Sequence, residues 1–120
     1  MKIAFAASGE TLEAALDSRF GRAAKFIVYD TETDTFEAVD NVQNLNAAQG
    51  AGIQAAQTVA QSGAESLVAR HCGPKAFRVL SAAGITVYNS GAPTVVAALE
   101  AFKAGTLKPA TASDVEGHWV

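Results

Sequence analysis

Cysteine is almost missing from this chain, with Cys72 the only one among 120 residues. A single thiol excludes an internal disulfide framework and fits a reducing compartment. Within one chain it also excludes the set of about four thiolates that holds a conventional iron–sulfur cluster. Long apolar runs are missing as well. The start, Met1 to Gly9, holds only Ile3-Ala4-Phe5-Ala6-Ala7, too short for a secretion signal, and nothing later approaches a bilayer span. These absences predict a cytoplasmic protein with no membrane partner. An excess of positive charge is also lacking. Nine Lys and Arg stand against twelve Asp and Glu, a net charge of −3, which argues against a general nucleic-acid binder.

What is there suffices for one domain: 49% of the residues are apolar, enough for a proper core. Ile3–Ala7, uniformly apolar, reads as a central strand covered on both faces. Ala24–Asp30, rich in aromatic and β-branched residues, is a second strand. The polar turn Thr31-Glu32-Thr33-Asp34 leads into a third strand, Phe36–Val42, antiparallel to the second. Its acids suit an edge position. Thr11–Phe20 fits either a turn of helix or a surface loop. The polar, glycine-bearing stretch Asn44–Gly52 is expected to be a mobile lid. A helix over Ala51–Gln61 should turn Ile53, Ala56, Val59 and Ala60 inward. There follow a strand at Ser66–Arg70, a helix at Pro74–Ala83 (Phe77, Leu80 and Ala83 inward) and a strand at Ile85–Tyr88. A last helix begins near Pro93, with Val95, Ala98, Leu99 and Phe102 inward. Helical crossovers imply parallel pairing, so the order predicts a three-layer α/β domain. That is a ribonuclease-H-like, mixed five-stranded sheet with helices on both faces. Residues 1–107 should form the single domain, and 108–120, with His118 and Trp119, a flexible tail.

The charge is unevenly placed. Six of the nine cations (Arg19, Arg22, Lys25, Arg70, Lys75, Arg78) fall in two short windows. Such a cluster can be no more than a solvated face. Here, however, both windows leave the same sheet edge, off the strand ends where open α/β sheets bind ligands. The second window, Arg70-His71-Cys72-Gly73-Pro74-Lys75, reads as strand, tight loop, helix. Gly73 lets backbone approach a ligand, and Pro74 suits a first helical position. The N–H groups of that first turn, with the helix dipole behind them, favour an anion. A thiol beside them is expected to ionise more readily and to accept a soft metal, a cuprous ion before zinc. Cys72 fits equally as a small apolar filler, and His71 as a solvent-facing loop residue.

Other chemistries fit less well. A nuclease of this architecture needs carboxylates on its first strand for two magnesium ions, and Ile3–Ala7 has none. For a cysteine hydrolase, His71 is an immediate neighbour of Cys72 that points elsewhere, and no orienting carboxylate follows. A nucleotide- or phosphate-binding regulatory module remains open, lacking only a glycine-rich phosphate signature.

Ser18-Arg19-Phe20-Gly21-Arg22-Ala23, Gly73-Pro74-Lys75-Ala76, Gly84-Ile85-Thr86-Val87-Tyr88 and Gly105-Thr106-Leu107 together resemble the nitrogenase iron–molybdenum cofactor biosynthesis family. The resemblance runs from Ile3 to about Leu107. It implies a ribonuclease-H-like cofactor carrier with no enzymatic activity, most like members that hold a molybdenum–copper sulfide cluster. The expected cargo is such a cluster or a related iron–molybdenum cofactor precursor, exchanged with a donor or acceptor protein. Phe20, Gly21, Arg22, Gly73, Pro74 and Lys75 carry over from the family pattern. Arg19, Arg70, His71 and Cys72 join them on chemical grounds, with Phe20 expected to cover a sulfur face.

Overall fold

The computed structural model describes residues 1–42 and 50–111. Strands β1 (Lys2–Ala7), β2 (Lys25–Asp30), β3 (Thr35–Asp40), β4 (Ser66–Ala69) and β5 (Thr86–Asn89) form one sheet in the order β3-β2-β1-β4-β5. β2 runs antiparallel to both β1 and β3, while β4 lies parallel to β1 and β5. Helices α1 (Ala51–Gln61) and α2 (Pro74–Ala82) cover one face, and α3 (Val95–Lys103) covers the other. The expected ribonuclease-H-like, three-layer α/β arrangement is what the chain adopts.

β1 explains the layering. Five of its six residues are buried, so it must be covered on both sides. Strand alternation sends Ala4 and Ala6 toward α1 and α2, and Ile3, Phe5 and Ala7 toward α3. On the first face the helices contribute small residues, Ala55, Ala56 and Ala76, which let their backbones lie close to the sheet. Two expected inward positions are corrected: Ala60 and Ala83 face solvent, and Ala55 and Ala76 are buried in the stripes. Ala60 lies about 100° around from Val59, on the side away from the sheet. Ala83 is already the C-cap of α2, beyond its last full turn. Pro93 is likewise outside α3, whose N-cap is Thr94.

β3 is the edge strand, with every residue at least partly exposed. The ambiguous stretch after β1 is a loop, tied to β1 by Asp17 N–H to Ala6 O (2.8 Å) and Ser8 N–H to Ala15 O (3.0 Å). Residues 108–110 do not hang free. Pro109 bridges Tyr88, and Ala110 N–H donates to Val87 O at 2.7 Å, extending the sheet past β5. Residues 44–49 of the expected lid, together with His118 and Trp119, lie outside the described residues.

One polar knot ties α3 to the hairpin. The buried Tyr29 hydroxyl donates to Asp34 and accepts from Lys103 Nζ at 3.2 Å. The same ammonium lies 5.0 Å from the Tyr29 ring centroid. Tyr29→Phe keeps the ring and removes both hydrogen bonds. It is expected to lower the unfolding free energy by about 1–2 kcal/mol, measured by urea unfolding, while the circular dichroism of the folded state stays unchanged.

Candidate functional site

The carboxyl ends of β1, β4 and β5 share one sheet edge, and the loops that leave them are drawn together by backbone contacts. The single 3₁₀ turn Phe20–Arg22 docks there. Phe20 N–H donates to His71 O at 3.2 Å, so the two cationic windows do meet. Asn41 clamps the turn from β3, its Nδ2 reaching Gly21 O (3.2 Å) and Ala23 O (2.9 Å). Gly21 presses on the first turn of α1. A Cβ there would stand 2.9 Å from Gly52 N and 3.0 Å from its Cα, closer than backbone can tolerate. Gly52 in turn lies against α2, where a Cβ would meet that of Ala76 at 3.4 Å.

Helix ends decide what this edge can bind. A helix exposes its first N–H groups unless something accepts from them. In α3 those donors are used: Val95 N–H goes to Ala14 O (2.9 Å), Val96 N–H to Leu12 O (2.8 Å) and Ala97 N–H to the Thr94 hydroxyl (3.2 Å). The other two helices have glycine N-caps, Gly50 and Gly73, and receive no side-chain cap. Neither has an acid in its first turn. Both N-termini open onto one groove of about 400 Å³ lined by Gly50, Gly52, Ile53, Gly73, Pro74, Lys75 and Ala76. It offers N–H donors, a lysine and apolar walls.

The expected site residues divide around this groove. Gly73, Pro74 and Lys75 line it, with Lys75 exposed. Arg19 precedes the 3₁₀ turn and Arg22 ends it, both exposed, and Gly21 is the close-packed support. Phe20 is corrected: it is buried at 2% exposure and stacks on Phe26 at 5.4 Å, so it covers no ligand. Arg70 does not reach into the groove either. Its Nε donates to Leu16 O and its Nη2 to Ala92 O, both at 3.2 Å, bracing two loops. With exposed His71 it lines a second cleft, described below. Lys25 is held by Asp40 and by Glu10 (3.1 Å), so its charge is matched locally. A further depression of about 220 Å³, lined by Lys2, Val28, Asp30, Thr35, Phe36 and Glu37, belongs to the β2–β3 ribbon, away from this edge.

Cys72 reverses its expectation. The side chain is buried at 2% exposure inside the α1–α2 core cluster, with Sγ 3.8 Å from Gly73 O. Desolvation pushes the thiol up to about 12, so at neutral pH it is a protonated core residue despite the nearby helix end. Among the described residues, no group of three or more His, Cys, Asp and Glu could hold a metal ion. Sequence reasoning missed the α1 half of the groove. Gly50 and Gly52 read only as the end of a mobile, glycine-bearing stretch, although a glycine pair at a helix start also marks close backbone approach.

A small ribonuclease-H-like domain with an open groove between two helix N-termini is thus defined. The chain belongs to the dinitrogenase iron–molybdenum cofactor family, whose model matches residues 1–105. It is similar to the apo orange protein of Desulfovibrio gigas, at 45% identity over 92% of each chain and a TM-score of 0.84. A NifB-like protein from Thermotoga is 36% identical, covering 90% of this chain and 91% of its own, with a TM-score of 0.76. An uncharacterized protein of Methanocaldococcus jannaschii is 27% identical over 95 residues, 78% of this chain and 80% of that protein. Family membership supports a cofactor-binding or carrier role. No helix among the described residues is long and apolar enough to cross a membrane.

The buried thiol gives a pH test. Its value is about 12 in the fold against an ordinary 9.0, so its burial stabilises the fold fully below pH 9.0. That contribution is lost as pH rises toward 12, by about 1.4 kcal/mol per unit. Cys72→Ala is expected to flatten this part of the alkaline limb, read from denaturant unfolding at stepped pH.

Proposed function

We propose that this chain is a non-enzymatic carrier that holds an anionic metal–sulfur cluster in the groove between α1 and α2. The cluster is of the molybdenum–copper sulfide type or a related iron–molybdenum cofactor precursor. The observation that carries this reading is the pair of glycine-capped helix N-termini opening onto one groove beside Lys75. A thiomolybdate-type cluster is a bulky polyanion with soft sulfur faces, and it brings its own sulfur ligands. It therefore asks the protein for N–H donors, diffuse positive charge and apolar contact rather than thiolates. Ile53, Pro74 and Ala76 supply the apolar contact, and Lys75 with Arg22 and Arg19 the charge. Arginine's weakly hydrated, planar fork suits such an ion better than a second lysine would. The groove is open to solvent, which suits hand-over to an acceptor protein.

Reconstitution of the apo chain with copper and tetrathiomolybdate, followed by visible absorption and metal analysis, tests the reading. Lys75→Glu and Arg22→Glu are each expected to weaken uptake by about 1–3 kcal/mol as a charge-assisted contact is lost. Cys72→Ala is expected to keep the spectrum and the metal ratio, because its thiol is not presented to the groove. Unchanged uptake in both charge variants, or loss of the copper-dependent bands in Cys72→Ala, would sink this assignment.

A further inference from the structure

The second cleft at the same edge has a different chemistry from the groove. It measures about 360 Å³ and is lined by Arg70, His71, Asn89, Ser90 and Gly91, at the ends of β4 and β5. It has no carboxylate and no large apolar side chain in its lining, which disfavours both a metal cation and a soft cluster. Asn89 is the informative residue. Its Oδ1 is the one buried side-chain polar atom without a hydrogen-bond partner among the described residues. Its Nδ2 has no partner there either, and the residue lines the cleft, so an amide N–H pair is available for a ligand. The opposite flip would bury two unpaired donors in place of one unpaired acceptor, a costlier arrangement. Arg70 adds charge. It uses Nε on Leu16 and Nη2 on Ala92, which fixes the guanidinium while leaving Nη1 uncommitted among the described residues. Ser90 is held in place by its own turn, Oγ accepting from Ala92 N–H at 3.1 Å.

We propose that this cleft is a second ligand site, taking a small tetrahedral oxyanion of the sulfate, phosphate or molybdate class. Hard oxygens match a fixed set of N–H donors and a guanidinium better than sulfur does. The ion is a free inorganic one and not a phosphate ester, because the lining holds no large apolar side chain to cover an organic group. The proposal stands apart from the cluster reading: the groove and the cleft share the His71-to-Gly73 connection but no lining residue.

The test is a titration of the nitrogen-15-labelled full chain with sodium molybdate, and separately with sodium sulfate, at constant ionic strength. Saturable shifts are expected at the Asn89 side-chain amide and at the Ser90 and Gly91 backbone, with Gly52 and Lys75 unmoved. Asn89→Asp, nearly isosteric and opposite in effect, should weaken binding about tenfold or more. Asn89→Ala, which removes the donor without adding charge, should weaken it less. A parallel titration with adenosine monophosphate separates sources, and it should act more weakly than inorganic phosphate. Equal shifts in parent and both variants would overturn the site, as would shifts centred on Gly52 and Lys75. Tighter binding of the nucleotide would overturn the assignment to a free ion.

Discussion

The binding edge depends on one contact that has no side chain in it, the seating of Gly21 against Gly52. A 3₁₀ turn from the long β1–β2 loop can reach the start of α1 only because Gly21 carries no Cβ. That contact sets the α1 N-terminus beside the α2 N-terminus, and Gly52 against Ala76 closes the triangle. Everything polar then follows from placement. Phe20 N–H finds His71 O, Asn41 reaches back to two carbonyls of the turn, and two uncapped helix ends share one opening. Burial of Phe20 against Phe26 supplies the apolar half of the same clamp. Phe20 and Gly21 are therefore a structural lock, and Arg22 at its end stays exposed beside the groove.

The fold was legible in the sequence because its signals are local. A uniformly apolar Ile3–Ala7, an aromatic Phe26–Tyr29 and the four-residue turn before β3 each state their structure without help from distant residues. Pro74 after Gly73 announced the start of α2 to the residue. The site was legible only in outline. Sequence order placed both cationic windows at one edge, yet side-chain destination depends on long-range packing. Arg70 looked like an anion ligand, but the carbonyls of Leu16 and Ala92, fifty-four and twenty-two positions away, claim its Nε donor and one on Nη2. Cys72 looked activated by a helix dipole, but burial outweighs the dipole and raises its thiol. Phe20 looked available until β2 supplied a ring for it.

Two openings of different chemistry thus lie on one edge. The groove is soft, with Ile53, Pro74 and Ala76 in its lining beside main-chain N–H groups at two helix starts. The cleft is hard, built on a braced arginine and an amide. The boundary between them is the short run from His71 to Gly73, whose middle residue is locked into the core.

The strand order carries a consequence for how the chain is made. β1 is synthesised first and sits at the centre, but its two neighbours arrive at very different times. The antiparallel partner β2 begins at Lys25, whereas the parallel partner β4 begins only at Ser66. A nascent chain therefore holds a three-stranded meander with one bare edge at its most apolar strand until α1 and β4 have left the ribosome. Nonlocal parallel pairing of this kind is the slow step in sheet assembly, and an uncovered apolar edge invites association while it waits. The interval between residues 40 and 66 is thus the exposed part of its synthesis.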